Sequence, residues 1–346
     1  APRRRRAGPA ARRQGKRHAM PNLSRRTLLG AATLLAAPAI ARAQTIARPA
    51  RIIIGFPAGG SSDVVARLYA ERLRGPAAFA TQIVVESRTG AAGRIAVEAV
   101  RAAIPDGETI LQTPASMLTL QPHVFPRQVR YDGLLDLIPV STVVSFPFAL
   151  AVPPDHPART FAEFVAWART QREIPYASPA AGAAPHFLGV MLAKAIGARM
   201  EHVAYRGAAP ALQDLVAGRL QAFIGVLGDV APQVAQGVRM LAVSSERRVP
   251  RYPDVPSFAE LGHPALTKDE WFGMLLPALT PGPVVQGLFD AIRRAAAEPA
   301  MREALERLDY AATVSDSPAA FAARIRRERE AWGVIVRESG VQLDDG

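Results

Sequence analysis

The chain has 346 residues, with 42 Lys or Arg against 30 Asp or Glu and a net charge of +12. Eleven of the basic residues and none of the acidic ones fall in residues 1–43, which leaves 31 basic against 30 acidic in the remainder. The basic excess belongs to that leader, so net charge gives no ground for nucleic-acid binding. The absence of cysteine excludes disulfides, thiolate zinc sites, a thiol nucleophile and a lipoprotein anchor.

In the leader, Ser24-Arg25-Arg26-Thr27-Leu28-Leu29 precedes an apolar run over 28–41, interrupted by Pro38. Ala41-Arg42-Ala43 then has the small-x-small form of a signal-peptidase site. Residues 1–43 are expected to be a basic leader and signal peptide of the twin-arginine type, cleaved near Ala43, with export to the periplasm. Residues 1–19 read as a basic arm or an over-extended start before Met20. The apolar run is about 14 residues, short for a bilayer span, and the mature chain is not expected to be membrane-embedded. An uncleaved anchor is the competing reading.

Beyond the leader, short apolar runs alternate with longer amphipathic segments. Residues 50–56 read as a strand, 62–74 as a helix, 82–86 as a strand, 93–102 as a helix and 109–113 as a short strand. A long β-rich run covers 139–152. A helix over 160–170 starts at Thr160, with Glu163 placed as in a capping box. Strands are expected at 175–178, 200–203, 223–226, 240–244 and 271–276. Helices are expected at 186–196, 209–217, 284–297, 299–308 and 318–339, with Pro299 and Pro318 at first helical positions. The alternation predicts an α/β protein with parallel sheets covered by helices. The β-rich runs near 148–152 and 271–276 are candidate crossings between two lobes.

Familiar catalytic signatures fail. Gly55 and Gly60 have P-loop spacing, but Ser61-Ser62 stands where Lys-Ser/Thr is needed. No G-x-G-x-x-G follows a strand, and no G-x-S-x-G elbow occurs. None of the six histidines is spaced as a metal pair, so no metal and no cofactor are expected. His123 and His156 sit in proline-rich loops and are expected to be exposed. His186 either faces a ligand or is simply polar in a first helical turn. Arg88, Arg94 and Arg206 are the basic candidates for pairing with a carboxylate.

The turn Phe56-Pro57-Ala58-Gly59-Gly60-Ser61-Ser62-Asp63 joins a strand to a helix start, where backbone N–H groups bind anions. Asp63 either charges the first helical turn or touches a bound amine or water. Three further junctions have small or hydroxyl residues: 113–116, 176–186 and 205–210. Such junctions converge at the carboxyl edges of parallel strands, where open α/β proteins bind ligands.

These residues, in this order, resemble the Bug-type extracytoplasmic solute receptors of tripartite tricarboxylate transporters. The resemblance rests on the Phe56–Asp63 turn, Glu86-Ser87-Arg88-Thr89-Gly90-Ala91-Ala92-Gly93, Pro105-Asp106-Gly107-Glu108-Thr109-Ile110-Leu111, and Tyr131-Asp132. It continues through the run from His202 to Leu212, Pro253-Asp254-Val255-Pro256-Ser257 and Trp271-Phe272-Gly273, covering about 49–337. It implies a two-lobed, type II-like periplasmic-binding-protein fold, each lobe a mostly parallel sheet flanked by helices. The expected division is 44–147 with 273–346 as lobe 1 and 148–272 as lobe 2. It implies capture of a small organic carboxylate between the lobes and delivery to membrane transporter subunits or a sensor. The receptor would be a monomer, without nucleic-acid partner or catalysis.

By position, the resemblance assigns ligand contacts to Phe56, Ala58, Gly59, Gly60, Ser61, Asp63, Thr113 and Ser116 in lobe 1. In lobe 2 it assigns Ser178, Ala181, Gly182, Ala183 and His186, with Tyr205 at the rim. Gly225 stands where an aspartate or asparagine is usual, and Arg94 where a small amide is usual. The 178–184 loop is alanine-rich. These departures point to a less polar ligand, such as an aromatic or monocarboxylic acid. The alternatives are an exported α/β hydrolase-like enzyme, which turnover would reveal, and the effector domain of a transcription regulator.

Overall fold

The computed structural model describes residues 48–75, 78–341 and 343. The leader, its twin arginine and the cleavage site near Ala43 lie outside the described residues.

In chain order the elements are β1 (Ala50–Ile54), α1 (Ser61–Leu73), β2 (Ile83–Ser87), α2 (Arg94–Arg101) and β3 (Thr109–Pro114). Two short helices follow, α3 (Ala115–Thr119) and α4 (Gln121–Val124), and then β4 (Leu137–Val152). Next come α5 (Phe161–Ala168), β5 (Ile174–Ser178), α6 (Ala184–Ile196), β6 (Met200–Ala204), α7 (Ala208–Val216), β7 (Ala222–Val226), α8 (Leu227–Val230) and β8 (Arg239–Val243). The chain ends with β9 (Asp269–Pro277), α9 (Gly282–Ala297), α10 (Pro299–Glu306), β10 (Ala311–Ala312) and α11 (Pro318–Ser339). The expected strands and long helices are all present; α3, α4, α8 and β10 are short elements that periodicity did not reveal.

The strand order is β2-β1-β3-β9-β4-β7-β5-β6, with β8 and β10 also pairing β4. At one end β2, β1 and β3 run parallel. At the other, β6, β5 and β7 run parallel. Between them the 16-residue β4 changes partner. Its residues 137–147 pair antiparallel with β9, whereas 148–152 pair antiparallel with β7 and β8. The antiparallel β4–β9 ladder thus joins two parallel half-sheets.

β1 shows why its sequence is uniformly apolar. It lies between β2 and β3, and Ile52, Ile53 and Ile54 are all buried. Ile52 and Ile54 enter the main core, and Ile53 enters a second cluster with Trp271 and Phe321. A strand covered on both faces reads as a continuous hydrophobic run. Gly55 follows because nothing larger fits: a Cβ there would stand 2.8 Å from both the Cα and the O of Gly93. α1 is fastened through its buried Tyr69, whose hydroxyl donates to the Val143 carbonyl at 2.7 Å. The capping signals hold. Thr160 Oγ1 accepts from the Glu163 N–H, the Glu163 carboxylate accepts from the Arg159 N–H, and Ser317 caps α11.

Two histidines depart from expectation. His156 is buried, not exposed: its Nδ1 accepts the Ala158 N–H, and its ring packs on Phe164 and Trp167. His123 is part-buried against α11, with Nε2 2.8 Å from the Arg329 carbonyl oxygen. Aromatic neighbours beyond the local proline pattern bury the His156 ring, and α11 covers the His123 ring.

Candidate functional site

Five strand-to-helix junctions meet at one cavity of about 310 Å³. The β1–α1 turn supplies Phe56 through Ser62, and the β3–α3 junction supplies Pro114 and Ser116. The β5–α6 loop supplies Pro179, Ala180, Ala183 and Pro185, the β6–α7 turn supplies Arg206 through Pro210, and the β7–α8 junction supplies Val226 and Asp229. The floor is Phe146 and Phe148 of β4 with Glu270 and Phe272 of β9. Residues two apart on a strand share a face, and Phe146 lies opposite Glu270 in the ladder. The floor rings are packed together, Phe146 and Phe272 having centroids 4.7 Å apart.

Of the residues assigned from sequence, Phe56, Ala58, Gly59, Gly60, Ser61, Ser116 and Ala183 line this cavity. Asp63, Thr113, Ser178, Ala181, Gly182, His186 and Tyr205 do not. Asp63 sits one layer behind the turn. One carboxylate oxygen accepts the Gly59 N–H at 2.9 Å and also the Arg67 Nε–H at 2.9 Å. Burial pushes this carboxyl up, but the hydrogen bonds from Arg67 and Gly59 outweigh burial and hold it below its ordinary value. Of its two readings, the helix-start role is the one the contacts carry. Gln112 fixes the same turn from β3, its Nε2 donating to the Ser62 carbonyl at 2.7 Å.

The second-half residues support the β5–α6 loop from behind. His186 is buried and accepts the Gly182 N–H at Nδ1, 3.0 Å away. Its ring stacks on His202 with centroids 3.9 Å apart. Burial, with the neighbouring His202, pushes His186 down to about 3, and burial pushes His202 down to about 4. Both rings are neutral at physiological pH. His202 Nε2 lies 2.8 Å from Ser178 Oγ. That serine is 0% exposed and does not line the cavity, so this serine–histidine pair meets nothing that enters the cleft. Gly182 has φ +70, and a Cβ on it would stand 2.3 Å from the Phe125 ring. Tyr205 turns away and donates to Asp214 at 2.6 Å.

Among the arginine candidates, only Arg206 lines the cavity. Arg88 pairs with Glu86. Arg94 is buried, lies 4.2 Å over the Phe125 ring and donates to Gln128.

Sequence reasoning missed two acids. Glu270 is 4% exposed, and one of its oxygens accepts the Ser116 N–H at 2.8 Å. Burial raises its pKa to about 7, and the nearby Glu328 adds to the rise. Asp229 is also raised by burial, although the hydroxyl and N–H of Ser61 oppose the shift. The available signals were an acid heading an apolar strand and an acid following the β7 run. Gly225 itself is sterically required, since a Cβ would meet the Phe223 ring at 2.4 Å. A carboxyl returns to this end of β7 four residues later, at Asp229. Among the described residues no cluster is arranged to hold a metal, and no helix is long and apolar enough to cross a membrane.

A cavity at the carboxyl edges of two half-sheets, joined by a shared antiparallel ladder, is the architecture of a periplasmic binding protein. Residues 65–341 match the tripartite tricarboxylate transporter family receptor, and the chain belongs to that family. A UPF0065 protein of Bordetella bronchiseptica is 38% identical over 280 residues, spanning 80% of this chain and 82% of its own. The periplasmic binding protein BugD matches with a TM-score of 0.79 at 30% identity, covering 85% of this chain and 98% of BugD. A Rhodopseudomonas palustris protein solved with adipate matches at 0.80 and 27% identity, covering 85% of this chain and 97% of its own. The family is one of solute receptors, and the chain has the fold of a protein that binds and releases solutes.

Proposed function

We propose that the chain captures a small organic carboxylate in the cleft described above and presents it to the membrane subunits of a tripartite transporter, or to a sensor. In this reading the lobes are 44–147 with 273–346 and 148–272, and ligand bridging shifts the population toward a closed form that docks on the transporter. The leader directs export, cleavage falls near Ala43, and the receptor works as a periplasmic monomer. The convergence of all four junctions singled out in the sequence on one cavity carries the proposal. Adipate in the R. palustris relative fits the same chemistry. The floor of Phe146, Phe148 and Phe272, with Phe56 on the rim, favours a ligand with an apolar body over a polar tricarboxylate.

The test is a thermal-shift screen of mono-, di- and tricarboxylates with an apolar or polar body, followed by calorimetry on the best. A ligand at about 100 times its Kd stabilises the folded state by about 2.7 kcal/mol. Gly60→Val localises the effect. Gly60 has φ −83, and a Cβ there meets nothing nearer than the Pro57 carbonyl oxygen at 3.6 Å, so the variant folds. Gly60 lines the cleft, and filling that position is expected to weaken the acid about tenfold or more. Normal binding by that variant would place the ligand elsewhere, and turnover of the acid would replace the receptor reading with the hydrolase one.

A further inference from the structure

The two walls of the cleft carry opposite electrostatics. On the first wall two donors of the turn, the Gly59 and Ser61 N–H groups, are taken by the protein's own acids. The Gly59 N–H goes to Asp63, and Asp229 lies against Ser61, the first residue of α1. Glu270 stands on the same cavity with Ser116. The Ser116 N–H holds only one of the Glu270 oxygens. The Ser116 hydroxyl, on a residue 1% exposed, also bears on this carboxyl and opposes the rise in its pKa. The second wall has no such acid at its helix start. α7 begins at Ala208 after Gly207, like α1 without a side-chain cap, and Arg206, Ala208 and Ala209 line the cavity.

An anionic group placed against the first wall meets two carboxyls in a water-poor site. The same group on the second wall meets unspent N–H donors and a guanidinium. A protonated amine has the reverse preference. Between the walls lie the phenylalanines of the floor, which suit an apolar spacer.

We infer that the cleft selects an amino acid whose ammonium is separated from its carboxylate by an apolar spacer, with the carboxylate on Arg206 and the α7 start and the ammonium on Glu270 and Asp229. The inference rests on the carboxylate-receptor reading and names the far end of the same ligand.

Glu328 from α11, which pairs with Arg324, acts directly on Glu270; Asp229 and Arg206 share its cavity, and Tyr310 faces Asp229 and Ser61. Burial raises both cleft acids, Glu270 to about 7. An ammonium draws them back toward the carboxylate form, so its binding releases a proton and strengthens as pH rises from 6 to 8.

The experiment is calorimetry on the purified protein with matched probes: 4-(aminomethyl)benzoate against 4-methylbenzoate, and 5-aminopentanoate against pentanoate, with benzylamine as the amine lacking a carboxylate. At pH 8 at least one amino acid is expected to bind about tenfold or more tighter than its partner. The preference shrinks at pH 6, and Glu270→Gln reduces it to within about twofold, with Asp229→Asn as the second variant. Equal or tighter binding of the partners lacking nitrogen, or a preference intact in both variants, overturns the inference and leaves the carboxylate reading standing. Benzylamine binding as tightly as 4-(aminomethyl)benzoate, or no acid binding at all, overturns that reading as well.

Discussion

The two walls of the cleft start from the same device, a helix opening at a strand's end, and use it differently. In the first, α1 opens on Gly60, and the Gly59 and Ser61 N–H groups beside it go to Asp63 and Asp229. In the second, α6 and α7 open on Ala183 and Gly207, likewise without a side-chain cap, and the support comes from below, through the His186–His202 stack. The first wall is fixed by acids and the second by neutral rings. The same local geometry therefore offers an anion site on one side and its complement on the other. Substitutions that reach each wall's support test the difference.

The largest effect is expected where the second wall touches the other half of the molecule. Gly182→Ala forces a Cβ toward the Phe125 ring, which is buried beneath Arg94, at a backbone φ of +70. Neither partner can yield cheaply. Left-handed backbone and overpacking together cost about 2–4 kcal/mol, read as a lower denaturation midpoint with an unchanged slope. The contact joins the β5–α6 loop to the α4–β4 connection, so this variant should also scatter X-rays as a more open particle. A compact variant with full stability would mean that the loop is not pinned at Phe125.

Next in size is Glu270→Gln, now read as stability without added ligand. Between the ordinary carboxyl value and about 7, the folded chain keeps a proton that the unfolded chain has released. Stability therefore falls as pH rises through that window, and the full penalty is present above it. The amide keeps an acceptor for the Ser116 N–H and carries no charge. The variant should match the parent near pH 4 and exceed it at pH 8, by about 3 kcal/mol at most. The His186–His202 pair contributes the opposite slope. Both rings must take up protons on unfolding below their ordinary values, so that part of the stability is lost as pH falls below about 6.5. Denaturation of both proteins from pH 4 to 8 separates the trends, because the histidine limb is common to both.

The β-rich and amphipathic runs made the framework legible. Ile52, Ile53 and Ile54 announce a strand covered on both faces, and Thr160 with Glu163 announces a helix start. The junctions were legible as well, since glycine and hydroxyl residues after a strand have few other uses. The floor was not. Glu270 stands at the head of β9, where an acid reads as the solvated end of a strand, and only its register opposite Phe146 turns it inward. Asp229 lies on a four-residue helix too short for periodicity to reveal. Ser178, His186 and Tyr205 do not line the cavity. Their side chains are engaged by His202 and Asp214, neighbours a turn or a strand away that local spacing does not reveal.

The smallest effect tests the spent donors themselves. Asp63→Ala removes the acceptor of the Gly59 N–H and the partner of Arg67. Arg67 is mostly exposed, so its ion pair contributes little, and losing the helix-start acceptor costs about 1 kcal/mol. The carboxyl is held below its ordinary value, so its stabilisation is present above that value and is lost as pH falls through it. The deficit should therefore be full at pH 7 and fade toward pH 3. The released Gly59 N–H would then be the one main-chain donor of this turn no longer claimed by Asp63. If the first wall repels anions because its donors are taken, Asp63→Ala should narrow the gap between 4-(aminomethyl)benzoate and 4-methylbenzoate by improving the second. An unchanged gap would assign the polarity of that wall to Glu270 and Asp229 alone.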